Sequence, residues 1–354
     1  MAMEASSRDE SMTEFAQVKF SHVQLYVSRL DSLAAYKTVE QNLQEFSKRL
    51  DSHQEMGLDE MRQLWQSITH TNGFEMEFLP QNRDIIKQML TGFGMRVTGV
   101  HHGSGTRSFL VTTKDLGGVQ VVVTAKNDSE VETSTEGQEF QHFQAANIDR
   151  FFESQKGRQG IAVLGFHVDD VKAVHSRYKN LHPKLIHFYA ENRKTKILEV
   201  FAYYTSEDIH STEDAERQPD AGTMLRFVET EKAFGGYCVL PGLLRVPASF
   251  DDSSQSAYFD HWVSNVYSRT EFLDTLNDTL GFEPKVDFNA GVVAAGEAQI
   301  ESTVTGNEST LQTSDKAVTL QDQSQVYLPI NNALSSVGHV HGFLEEIGQG
   351  IQHI

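Results

Sequence analysis

Two of the fifteen histidines in this 354-residue chain occupy matching places. His261 lies in Phe259-Asp260-His261-Trp262-Val263-Ser264-Asn265-Val266, and His353 in Gly350-Ile351-Gln352-His353-Ile354. Both segments read as opening strands of a recurring unit. If the units pack as a pseudo-symmetric pair, the two imidazoles converge in a shared groove. Two neutral imidazoles and one carboxylate on a face, with open positions opposite, form the non-haem Fe(II) site used for O₂ chemistry. His22 is placed in the same way in an earlier segment, so a histidine in an opening strand is equally compatible with packing.

The other reactive side chains point to less. His101-His102, between Gly99 and Gly103, reads as a solvated turn. His339 and His341 are two apart and share a face if that stretch is extended, but no third donor stands beside them. Glu301 and Glu345 are the carboxylates nearest these motifs in sequence and read as surface residues. Cys238 is the single cysteine, which excludes an internal disulfide and a thiolate metal cage. Asn-x-Ser/Thr triplets at Asn127, Asn277 and Asn307 read as chance matches, because the polar, acidic start shows no secretory signal. Walker, dinucleotide-binding, HExxH and G-x-S-x-G patterns are absent.

The elements that must position the histidines repeat along the chain. Phe20–Val27, Ile161–Val168 and Phe259–Val266 each alternate as a half-buried strand and then enter a helical run: Ser32–Leu50, Val171–Lys179 and Glu271–Leu280. Strand candidates follow each: Arg107–Thr113 and Val119–Thr124, Ile197–Tyr204 and Met224–Val228, Val292–Ala298 and Val326–Ile330. The last five residues read as the opening of a fourth unit. Phe74–Leu79, followed by a helical run Arg83–Leu90, is an alternative opening strand for unit one. Lys126–Glu139 and Thr205–Ala221 read as polar loops, and Leu240–Asp252, with two of the seven prolines, as a connector.

Composition bounds the class. Hydrophobic residues make up 39% and charged residues 22%, enough for a real core in two or three domains. A net charge of −19 repels phosphate backbones and anionic lipid, so neither nucleic acid nor a membrane surface is expected as a partner. No run approaches the ~20 apolar residues of a membrane span, and a cytoplasmic protein is expected.

Several segments resemble 4-hydroxyphenylpyruvate dioxygenase, of the vicinal oxygen chelate superfamily. They are FDHWVSNV (259–266), TSDKAVT (313–319), VYLPIN (326–331) and the ending FLEEIGQGIQHI (343–354). GFGM (92–95), TRSFLVTT (106–113), VQVVVTAKN (119–127), IAVLGFHVDDVKAV (161–174) and GTMLRFVE (222–229) are similar more loosely. The resemblance covers most of the chain from about residue 74 and implies an α+β fold of paired βαβββ modules in two domains. Residues 1–73 would be an N-terminal extension with a strand and an acidic helical segment, 74–239 a structural domain, and 253–354 the domain with the iron site.

By the same resemblance, His261 and His353 match two iron ligands, and Ser314, Asn331 and Gln352 match polar residues of the substrate pocket. Fe(II) is the implied cofactor, with a 2-oxo acid and O₂ as partners; a homo-oligomer is compatible. The implied reaction converts 4-hydroxyphenylpyruvate and O₂ to homogentisate and CO₂, in tyrosine catabolism. The sequence departs from the pattern in three places. The family's third ligand, a glutamate on a later strand of the fourth unit, has no match, so an incomplete chain with a truncated fourth module is expected. His339 replaces a pocket glutamine, and Asp315 is an extra residue beside Ser314. Two rival readings are a hydroxymandelate synthase-like oxygenase and a non-catalytic protein binding an aromatic acid or a partner.

Overall fold

The structure, a computed structural model, describes residues 15–51, 57, 59–60, 63, 84–103, 105–114, 118–127, 138–191, 195–205, 217–230, 239, 242–250, 257–295, 298–309 and 311–354. The first module contains β1 (Val18–Tyr26), α1 (Leu33–Asp51), α2 (Ile85–Gly92), β2 (Arg96–Gly103), β3 (Thr106–Thr112) and β4 (Gln120–Lys126). β1 runs parallel to β4, and β4, β3 and β2 continue as an antiparallel ladder. A helix, α3 (Gln138–Ser154), leads to the second module: β5 (Gly160–Val168), α4 (Val171–Leu181), β6 (Ile186–Glu191), β7 (Thr195–Phe201) and β8 (Met224–Thr230). Its pairing is the same, with β5 parallel to β8 and β8, β7 and β6 antiparallel. Antiparallel pairing of β1 with β5 fuses the two modules, and β9 (Leu244–Arg245) adds beside β2 to give nine strands in the order β6-β7-β8-β5-β1-β4-β3-β2-β9.

The third module repeats the scheme as β10 (Val263–Asn265), α5 (Arg269–Leu280), β11 (Glu283–Ala295), β12 (Ala298–Gly306), α6 (Lys316–Gln321) and β13 (Tyr327–Ala333). α7 (His339–Glu346) then leads into β14 (Gly350–His353), which pairs antiparallel with β10 as β5 does with β1. The second sheet therefore has the order β11-β12-β13-β10-β14. This is the α+β architecture of βαβββ modules, with the opening strand of a fourth in place.

Local chemistry explains the helix starts. Asp84, Asp170 and Ser268 sit in extended backbone and accept bonds from the free amides of the first turns of α2, α4 and α5. Gly281 ends α5 at φ +68°, a left-handed conformation that glycine adopts without steric cost.

Four expectations change. β1 lies at the centre of the nine-stranded sheet, so it opens the first module and does not belong to an extension ending at residue 73; residues 74–79 lie outside the described residues. His101 and His102 belong to strand β2, and His101 is buried, because the ladder to β3 pairs both sides of the flanking glycines. His339 and His341 lie on α7, whose period separates positions two apart to different faces. Of the loop expected over Lys126–Glu139, Lys126 ends β4 and Gln138 and Glu139 open α3, while residues 128–137 lie outside the described residues. Of the acidic helical segment, α1 packs on its own sheet. Glu40 accepts from the Val97 amide at 2.7 Å, and Tyr36 meets the Phe109 ring edge-on at 5.2 Å.

The sheets share one core. Trp262, fully buried, lies 4.3 Å from Phe20 and 5.3 Å from both Phe166 and Phe259, ring centre to ring centre. Buried amides tie the same seam. Gln323 Nε2 donates to the Gly118 carbonyl at 2.9 Å, and Gln349 Nε2 donates to the Tyr204 carbonyl at 2.8 Å and Asp220 Oδ2 at 2.9 Å. The last two bonds anchor the chain one residue before β14.

Candidate metal centre

The β10–β14 ladder sets the histidines. Val263 is opposite His353, and Asn265 is opposite both Gly350 and, across the parallel pair, Asn331. Opposed residues share a sheet face, as do positions two apart, so Val263, Asn265, Asn331 and His353 project to one side. His261 precedes β10 and reaches the same side: its ring centre is 5.7 Å from that of His353, with the planes nearly perpendicular at 85°.

His261 Nδ1 lies 2.6 Å from Asp260 Oδ2, which holds the proton on Nδ1 and leaves Nε2 with its lone pair. A carboxylate behind a ligand histidine is the usual orienting arrangement at metal sites. Burial lowers the pKa of His353, and the neighbouring His261 and His339 lower it further. Among the described residues, however, no group of three or more His, Cys, Asp or Glu side chains is placed to hold a metal. Glu345 pairs with His341 at 3.3 Å, and Glu301 lies 3.8 Å from Arg269. The donors therefore fit a metal held by two imidazoles and leave the carboxylate of a facial triad unassigned.

The remaining expected residues divide. Asn331, buried, donates from Nδ2 to Asn265 Oδ1 at 3.3 Å on the histidine face. Gln352 is half-buried at the irregularity where the β10–β14 register shifts. Ser314 is exposed in the turn before α6, outside the sheet. Asp315 beside it caps α6, accepting from the Ala317 amide at 2.9 Å. Asp260, the partner of His261, was visible only as an adjacent letter; its role needed the geometry.

The N-terminal half contains the counterpart of this place. There Tyr26, Leu25 and Gln24 oppose Gly160, Ile161 and Val163, as Asn265, Ser264 and Val263 oppose Gly350, Ile351 and His353. Matching the two ladders puts His22 where His261 is and Val163 where His353 is. His22 is fully buried and takes a hydrogen bond on Nε2 from Arg226 Nη1 at 3.0 Å, since guanidinium only donates. Its Nδ1–H then faces Ser21 Oγ at 3.0 Å. Arg226 Nε donates to Glu199 Oε1 at 2.6 Å, and both side chains are fully buried. Burial first, then Arg226 and His167, hold His22 well below the usual histidine pKa. An ion pair with a neutral histidine thus fills the N-terminal position.

These features define an α+β protein of paired βαβββ modules, the vicinal oxygen chelate fold, with a two-histidine face on its C-terminal sheet. No family model matches the sequence, and no curated protein matches it. Among solved structures it is similar to a mutant of 4-hydroxymandelate synthase from Streptomyces coelicolor. Identity is 12%, coverage is 95% of this chain and 70% of that one, and the TM-score is 0.54. A xylose isomerase-like TIM barrel/4-hydroxyphenylpyruvate dioxygenase fusion protein matches at 12% identity over 96% of this chain and 36% of its own, with a TM-score of 0.38. The likeness is one of fold.

Proposed function

We propose that the protein is an Fe(II)-dependent oxygenase of the 4-hydroxyphenylpyruvate dioxygenase type, with His261 and His353 as its two imidazole ligands. The observation that carries this reading is their convergence, from the segment just before β10 and from β14, to a ring separation of 5.7 Å. Fe(II) bound there would supply chelation of a 2-oxo acid and activation of O₂. The chain's own contributions are more specific. Asp260 fixes the ring and tautomer of His261. The Asn265–Asn331 pair presents amide groups on the same face, where they can orient a carboxylate or keto oxygen. With 4-hydroxyphenylpyruvate as substrate the product is homogentisate; side-chain hydroxylation would give 4-hydroxymandelate.

Anaerobic equilibrium dialysis with Fe(II), followed by metal analysis, tests the ligands. His261→Ala and His353→Ala should each weaken binding by about tenfold or more, with Asp260→Asn intermediate. Chromatography of a reaction with 4-hydroxyphenylpyruvate then separates homogentisate from the mandelate. Absence of Fe(II) binding by the parent protein refutes the oxygenase reading. The lack of a third protein donor among the described residues favours, as the second reading, a protein that binds an aromatic acid without metal.

A further inference from the structure

A second place in the molecule has the attributes of a ligand site, with Ile354, the residue after His353, at its edge. A cavity of about 680 Å³ opens beside the nine-stranded sheet. Val23, Leu25, Val121 and Ile161 form its sheet wall, and Met89 and Phe93 of the α2 end and Phe259 enclose it from other sides. The volume lies within the ~300–1,000 Å³ typical of small-molecule sites. Phe93, 77% exposed, is an apolar side chain left in water at this cavity.

Among the described residues one charged side chain lines the cavity: Arg96, at the start of β2, only 7% exposed. Its Nη1 donates to the carbonyls of Gly94 and Met95, both at 2.9 Å. Its Nε is buried with no hydrogen-bond partner, and among the described residues no carboxylate forms an ion pair with it. A buried guanidinium without an anion is costly, because two carbonyl dipoles replace only part of the water it has lost. With Nε buried behind it, Nη2 is the group left to donate a charge-assisted hydrogen bond to an anion. The nearby Thr113 hydroxyl already accepts from the Val119 amide at 3.1 Å, so its proton remains available to an anion.

We propose that this cavity binds an apolar monocarboxylate, its body against the Val, Leu, Ile and Phe wall and its carboxylate paired with the Arg96 guanidinium. A phosphate ester suits the site less well, since a single guanidinium in an apolar wall leaves a second negative charge uncompensated. The site is built entirely from residues other than His261 and His353, so it stands or falls apart from the oxygenase reading.

Isothermal titration of the full chain with matched probes decides it. Decanoate and 3-phenylpropionate represent aliphatic and aromatic bodies; decanamide keeps the apolar body and drops the charge. Decanoate, 3-phenylpropionate or both should bind, and the acid should exceed its amide by about tenfold or more. In Arg96→Gln the preference of decanoate over decanamide should shrink to under about threefold, while decanamide binding is unchanged. Leu25→Phe, which fills the wall without touching Arg96, should weaken acid and amide together, and His261→Ala should change neither. Equal binding of acid and amide by the parent protein overturns the proposal. So does an unchanged preference in a folded Arg96→Gln, or no heat from any probe up to about 1 mM. Should Arg96→Gln not fold, the parent's acid-to-amide ratio and the Leu25→Phe result decide the matter.

Discussion

Gly165→Ala offers a sharp test of the buried polar seam between the first two modules. Gly165 lies on β5 opposite His22. A Cβ built there would stand 2.2 Å from His22 Cε1, 2.3 Å from Nδ1 and 2.6 Å from Nε2, well inside contact distance. The ring has little room to retreat. It is fully buried, bonded to Ser21 on one nitrogen and to Arg226 on the other, and Arg226 is itself held by Glu199. Overpacking of this kind costs about 1–3 kcal/mol. Displacing the imidazole also gives up a hydrogen bond to a charged group, about 1.5–3 kcal/mol. The expected loss is therefore roughly 3–5 kcal/mol, a large part of the ~5–15 kcal/mol that holds a typical protein folded. Urea unfolding measures it as a fall in midpoint at constant slope. In a His22→Ala background, where the ring is gone, the same glycine change should cost less than about 1 kcal/mol, and the difference is the coupling energy. A single Gly165→Ala variant within about 0.5 kcal/mol of the parent would refute the close packing of His22 on β5.

Stability should also fall as the pH drops below about 6.5, the value of an unfolded histidine. His22 and His167 are buried and their folded pKa values are lowered, so the unfolded chain binds more protons and folding is progressively opposed. Each contributes up to ~1.4 kcal/mol per pH unit until its folded value is reached. His187, lowered to about 3 by burial and Arg150, acts in the same direction. Asp84 and Asp220, raised by burial, act in the opposite direction as they take up protons, so urea midpoints at pH 7, 6 and 5 read the net effect; a fall shows that the histidines dominate, and a flat series contradicts it. Trp262→Ala should cost about 3–5 kcal/mol, because the ring fills the core shared by both sheets. A loss below about 1 kcal/mol in denaturant would show that the sheets do not depend on it.

Local chemistry, which sequence carries openly, laid out the repeating units. The alternation in Phe20–Val27, Ile161–Val168 and Phe259–Val266, and the capping residues Asp170 and Ser268, depend on neighbours a few positions away. The strands and helices expected from them are present, the third strand being cut down to Val263–Asn265. His261 and His353 stood out as candidates for the same reason, by their place in an alternating pattern, although His261 lies just before the strand that forms. Strand β2 was not, because glycines around His101-His102 look like a turn until the partner strand β3 is known. Periodicity alone also left two candidates for the opening strand of unit one, and only the pairing of β1 with both β4 and β5 decides between them. Arg226 and Glu199 read as ordinary charges within strand segments. Their burial beside His22, 204 positions from Arg226, follows from sheet register, which no short window contains. Arg96 needed the same information: a cavity is made by elements distant in sequence, and one guanidinium nitrogen becomes unpartnered only once they close around it. What the sequence by itself determined was the order and type of the elements and two candidate ligands. The tertiary structure alone decided which charges are buried, which polar groups find partners, and where the chain leaves a space for something else.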